Sequence, residues 1–83
     1  MATWDLWLDY HRRDGDGLTH GSARNARPEV ELVPGRCVVV GNEEADPAVA
    51  VVVRINDNGV VLMRVLPGSV QDNRALLTLP KPP

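Results

Sequence analysis

The stretch from Ala48 to Leu66, AVAVVVRINDNGVVLMRVL, decides the fold. Val, Ile, Leu and Met crowd its two arms, Ala48 to Ile55 and Val60 to Leu66, and such side chains suit the pleated, half-buried surface of a β-strand. Between the arms, Asn56-Asp57-Asn58-Gly59 is a dense cluster of turn formers. The whole reads as a β-hairpin. A three-residue loop, with a type I turn over Asp57-Asn58 and Gly59 in the left-handed conformation, is one of the favoured connections. It sets Ile55 opposite Val61, Val53 opposite Met63 and Val51 opposite Val65, so one face is wholly apolar. The other face then carries Val52 against Arg64 and Arg54 against Leu62. A two-residue loop at Asn58-Gly59 would place Val53 beside Arg64 and mix the faces, so burial favours the longer loop.

Working outward from the hairpin, Val30 and Leu32 alternate with Glu29 and Glu31, Pro34-Gly35 suits a type II turn, and Arg36 to Val40 is a further β-prone run. Two short strands are predicted on either side of that turn. Gly41 to Pro47, with Glu43, Glu44 and Asp46, reads as an exposed loop. Downstream, Pro67-Gly68 breaks the strand, and Ser69 stands three residues before Asp72, the spacing of a helix N-terminal cap with an acidic residue in the first turn. A short helix from Val70 to about Leu76 is predicted, with Leu76 to Leu79 as a closing strand the alternative. Near the start, Trp4, Leu6, Leu8 and Tyr10 alternate as in a strand, whereas Trp4, Trp7, Leu8 and His11 would line one face of a helix. The aromatic content and the turn-forming Asp14-Gly15-Asp16-Gly17 favour a strand, with Leu18 to Ala26 as the return arm of a hairpin.

The chain has 83 residues, 43% hydrophobic and 24% charged, with nine Lys+Arg against eleven Asp+Glu for a net charge of −2. This balance is that of one globular domain and excludes a large enzyme and a wholly disordered chain. The organisation read from it is a single domain over residues 1–79, in which residues 1–28 form an aromatic hairpin or arm and residues 29–79 the barrel core, followed by a Pro-rich tail at 80–83. A domain this short buries only about 60 to 65% of the surface its unfolded chain exposes, so a partner would add to its stability. Cys37 is the single cysteine and cannot form an intramolecular disulfide, which suits a reducing, cytoplasmic setting. The first residues lack the basic and apolar pattern of an export signal. The longest apolar run, Ala48 to Val53, falls short of the roughly 18 to 20 residues that span a bilayer, so no membrane role is expected. All basic residues except Lys81 are Arg and Phe is absent, the bias of GC-rich codons and hence of a bacterial source.

The spacing Leu32-x-x-Gly35-x-x-Val38-x-Val40, then a polar loop, a long strand, a Gly-containing turn and another strand, resembles the small SH3-like barrels of the KOW or Tudor type over Leu32 to Leu66. The resemblance implies a small partly open barrel or β-roll, and with the strands and the cap read above the fold expected is mainly β with one short C-terminal helix. It also implies a role in binding nucleic acid, ribosomal components or peptides, and the fold alone does not choose among these. Two departures bear on the choice. The segment Gly41-Asn42-Glu43-Glu44 is acidic where a nucleic-acid-binding KOW segment tends to be basic, and no aromatic residue follows Tyr10.

Asp9, His11, Asp14, Asp16 and His20 lie close together in sequence, yet no pair has the spacing of a zinc motif. A calcium loop starting at Asp14 fails because Leu18 stands where a third oxygen ligand belongs and Asn25 where a bidentate Glu would sit. No metal or cofactor is expected. Ser22, Ser69 and Cys37 are the candidate nucleophiles. None sits in a catalytic motif, Ser69 is explained as a cap and Cys37 as a small apolar side chain within a strand, so the chain reads as non-catalytic.

Val38-Val39-Val40 and Val51-Val52-Val53 are continuous rather than alternating, which is expected when both faces of a strand lose contact with water. Something must then cover the second face: the Trp-containing N-terminal segment, the C-terminal helix or another chain. The function expected is that of a protein-interaction or adaptor module, forming a homodimer or docking on a protein partner through this apolar face. Val39, Val52 and Leu62 would lie near the contact, together with Trp4 and Trp7. The alternative is a nucleic-acid-binding barrel that uses Arg12, Arg13, Arg24, Arg27 and Arg36, although Asp14, Asp16, Glu29 and Glu31 offset those cations locally.

Overall fold

The structure is a computed structural model that describes residues 4–11, 15 and 17–77. Five strands, β1 (Leu6–Trp7), β2 (Thr19–Ser22), β3 (Cys37–Asn42), β4 (Ala45–Ile55) and β5 (Val60–Val65), form one mixed sheet in the order β1-β3-β4-β5-β2. The sheet curls into a half-barrel, and a short helix α1 (Arg74–Leu77) follows it. β1 runs parallel to β3, and the other neighbours are antiparallel.

The β4-β5 hairpin turns as its sequence predicts. Gly59 N–H donates to the Asn56 carbonyl at 3.0 Å, and Asn56 N–H donates to the Val60 carbonyl at 2.9 Å. Gly59 has a φ of 86°, a conformation in which a Cβ would be strained. Next to the turn the register is also the predicted one, with Ile55 opposite Val61 and Arg54 opposite Leu62. Beyond that point it changes. Val53 is the extra residue of a β-bulge, so Val52 faces Met63, Val51 faces Arg64 and Ala50 faces Val65. The bulge turns Val52 into the core and leaves Val53 outside, 1% and 40% exposed respectively. In a Val-Val-Val run either phase buries a valine, so hydrophobicity alone does not place the bulge. Curvature does, because a bulge bends its strand and sharpens the twist that a curling sheet needs.

A second irregularity lies at the other end of β4. Asp46 and Pro47 together face the single Gly41, since Val40 pairs with Ala48 and Asn42 with Ala45. Pro47 has no N–H to offer a ladder, and a bulge is where a strand tolerates that loss. The segment 41–47 is therefore not the exposed loop its charge suggested. β3 runs on to Asn42, β4 starts at Ala45, and Glu43-Glu44 alone makes the turn. Asn42 is what tightens it: its Oδ1 accepts from the N–H groups of Glu44 and Ala45 at 2.8 and 2.9 Å.

Pro34-Gly35 forms the predicted type II turn, with Gly35 at φ 90° and Arg36 N–H donating to the Val33 carbonyl at 3.1 Å. The strand expected over Val30 and Leu32 does not form. Both side chains pack on the core, but a ladder also needs a free sheet edge. The edge of β1 is already taken, because Leu6 bridges to Ala26 and Arg27 N–H donates to the Asp5 carbonyl at 2.9 Å.

The N-terminal segment is a strand at Leu6–Trp7, as the alternation suggested, but it is not one arm of a hairpin. β1 and β2 stand at opposite edges of the sheet. Asp5 fixes β1 on β3 by two bonds to one residue: its N–H donates to the Val39 carbonyl at 2.7 Å, and its Oδ2 accepts from Val39 N–H at 3.0 Å. The Leu6–Ala26 bridge then brings the chain that follows β2 back to β1, which narrows the gap in the half-barrel. Asp14 and Asp16 of the expected turn lie outside the described residues, as do Leu79 and the Pro-rich tail.

Leu6, Leu8, Val38, Val40, Ala50, Val52, Val61 and Met63 make the core on the inner face, and each is essentially inaccessible to solvent. Val49 and Leu62 are also buried on the opposite phase of their strands, whereas Val39 and Val51 are half-buried and Val53 is exposed, so the valine runs lose contact with water on the second face only in part. α1 lies against β3. The helix is shorter than predicted and begins at Arg74 after turns from Val70. Its entry is capped as expected: Asp72 N–H donates to Ser69 Oγ at 3.1 Å, and Ser69 N–H donates to Asp72 Oδ2 at 3.0 Å.

Candidate functional site

Alternation along the first strand sends Leu6 and Leu8 into the core and Trp7 out of it. Because β1 pairs with β3 in parallel, Trp7 stands opposite Gly41, beside the tight turn that joins β3 to β4. Two bonds hold the next residues in place. Leu8 N–H donates to the Gly41 carbonyl at 2.9 Å, and Asn42 Nδ2 donates to the Leu8 carbonyl at 2.8 Å. The result is a cleft of about 560 Å3 between the segment 7–11 and the turn 42–45. Trp7 and Tyr10 supply its aromatic surface, and Asp9, Glu43 and Glu44 supply carboxylates, with His11, Asn42 and Ala45 completing the lining.

Each wall has its own support. Trp7 Nε1 donates to Glu43 Oε1 at 2.7 Å, which orients the indole and, with a backbone bond, holds the Glu43 carboxyl below the usual carboxylate range. The Tyr10 hydroxyl donates to the Val40 carbonyl at 3.3 Å, and burial pushes its phenol up. His11 N–H donates to Asp9 Oδ1 at 3.0 Å, an Asx-type turn that draws Asp9 back over its own chain. Carboxylates and aromatic faces in one concave surface attract cations, the carboxylates by charge and the rings by their quadrupole. Among the described residues, the lining holds no Ser, Thr, Cys or Lys side chain. Among the described residues, no three His, Cys, Asp or Glu side chains gather as a metal ion would require.

The residues singled out from the sequence are distributed unevenly. Trp7 is in the cleft and 37% exposed. Trp4 is half-buried, and its ring lies 3.1 Å from where a Cβ on Gly41 would stand. Val39 is half-buried in β3, and Leu62 is only 5% exposed. Val52 belongs to the core, where the Val53 bulge has turned it, and does not lie on the second face. Of the arginines, Arg24 and Arg27 are exposed and Arg36 is half-buried, while Arg12 and Arg13 lie outside the described residues. Arg27 pairs with Glu29, and Arg36 Nη1 donates to the Glu31 carbonyl at 2.6 Å.

Asn42, Glu43 and Glu44 are site residues that sequence reasoning missed. The outward phase of Trp7 between Leu6 and Leu8 was a usable signal. Nothing local links it to residues 42 to 44, because the pairing of β1 with β3 is set by the whole sheet.

No helix among the described residues is long and apolar enough to cross a membrane. Set against known proteins, the chain matches no family model, no curated protein and no solved structure. The likeness to SH3-like barrels therefore rests on strand spacing alone and brings no function with it.

Proposed function

We propose that this chain is a non-catalytic module that binds another protein, in a reducing compartment where Cys37 stays a thiol, through the cleft beside Trp7. The observation that carries the reading is the exposed indole. Among the described residues, Trp7 and Val53 are the large hydrophobic side chains left exposed, and Trp7 lines the cleft. A Trp is costly to leave in water and is the side chain most enriched at the energetic centres of protein interfaces. The contact surface moves accordingly from the valine face to the cleft, since Val52 and Leu62 are already buried within the chain. A second copy of the chain is one partner this reading allows. The carboxylates of Asp9, Glu43 and Glu44 count against nucleic acid at this surface, because phosphate repels them.

The test is a peptide-display selection on the folded chain, followed by affinity measurement on Trp7→Ala, with circular dichroism to confirm that the variant folds. The reading expects selected peptides whose affinity falls by about tenfold or more in the variant, as for a central interface Trp. Peptides that bind both proteins equally, or no enrichment together with retardation of DNA or RNA at low salt, would overturn it.

A further inference from the structure

Resting on that reading of the cleft, we propose that its occupant is a basic segment of a partner protein, with an Arg or Lys side chain laid against Trp7 and Tyr10 and facing Asp9, Glu43 and Glu44. Charge complementarity inside the cleft favours such a segment. Among the described residues, eight side chains line the cleft: three are carboxylates, and none is a Lys or Arg. Glu43 spends one oxygen on Trp7 Nε1, so the same bond that orients the ring keeps an anion at its edge. A guanidinium or ammonium over that ring would meet the π-face and the carboxylate together. An acidic or purely aliphatic segment would have to desolvate the carboxylates without pairing them.

The volume of about 560 Å3 admits a side chain with adjoining backbone. No group of three ligating side chains is present among the described residues to favour a metal.

The experiment titrates the full chain by calorimetry with Gly-Ser peptides of equal length that carry two Arg, two Glu or two Leu, and separately with spermidine, at low and moderate salt. The Arg peptide is expected to bind about tenfold tighter than the Glu or Leu peptide and to weaken as salt rises. Glu44→Gln and Asp9→Asn, which leave the Trp7–Glu43 bond in place, should each weaken it by about threefold while the circular dichroism spectrum is unchanged. Tighter binding of the Leu or Glu peptide overturns the basic-segment assignment and leaves the docking reading standing. Spermidine binding as tightly as the Arg peptide overturns the assignment to a protein segment. Failure of every peptide, with no enrichment in the display selection, overturns both.

Discussion

Trp7 Nε1 and Glu43 Oε1 lie 2.7 Å apart across 36 positions of sequence, and this one bond joins the edge strand β1 to the turn between β3 and β4. It has two consequences at once. It leaves the indole face open while fixing its edge, and it keeps a carboxylate charged where a neutral acid would accept the N–H less well.

The bond makes the Trp7 environment pH-dependent. Glu43 has its carboxyl lowered from 4.5, first by the Trp7 hydrogen bond and then by a backbone one. A depressed acid contributes fully above its unfolded value, and the contribution is lost as pH falls through the lower folded value. The Trp7 indole N–H resonance should therefore move as Glu43 takes up its proton, with a midpoint below 4.5. Glu43→Gln should remove the movement, as followed by proton-nitrogen correlation spectra. A midpoint above 4.5, or an unchanged titration in the variant, contradicts the assignment.

The bulge at Val53 makes neighbouring valines unequal. Val52→Ala should cost about 2 kcal/mol by opening a cavity beside Met63, and Val53→Thr should change stability by less than about 0.5 kcal/mol. Urea denaturation of the two variants decides the register. The reverse order would mean the unbulged pairing, with Val53 against Met63.

Asn42 holds three main-chain partners with one amide: the Leu8 carbonyl and the N–H groups of Glu44 and Ala45. Asn42→Ala should cost about 1 kcal/mol, mainly because the Leu8 carbonyl loses its partner, while the exposed N–H groups of Glu44 and Ala45 can turn to water. It should also loosen both walls of the cleft, so affinity for any bound peptide should fall further than in Glu44→Gln. Asn42→Asp keeps the acceptor but not the donor, and thermal melts should place it between the two.

Ser69→Ala removes one half of the reciprocal cap with Asp72 and should cost about 1 kcal/mol. Hydrogen exchange should show the loss mainly over residues 70 to 77. Loss spread evenly through β3 and β4 would mean that α1 and the sheet unfold as one unit.

Several features could be read directly from the amino-acid order. The Asp57-Asn58-Gly59 loop, the Pro34-Gly35 turn and the Ser69–Asp72 cap each close a ring of three or four residues. Their chemistry is complete within that span, so local propensity is sufficient for them. The mainly β class and the need for a covered second face likewise follow from residue type and spacing. Strand pairing across the sheet does not. Val30 and Leu32 have a strand's alternation but no edge to join, and Glu43 and Glu44 have a loop's charge but sit in a turn that Asn42 tightens. The Val53 bulge, the parallel seating of β1 on β3 and the Trp7–Glu43 bond were settled only when the sheet curled. Runs of near-identical valines give several registers similar burial, and the curvature that separates those registers belongs to all five strands together.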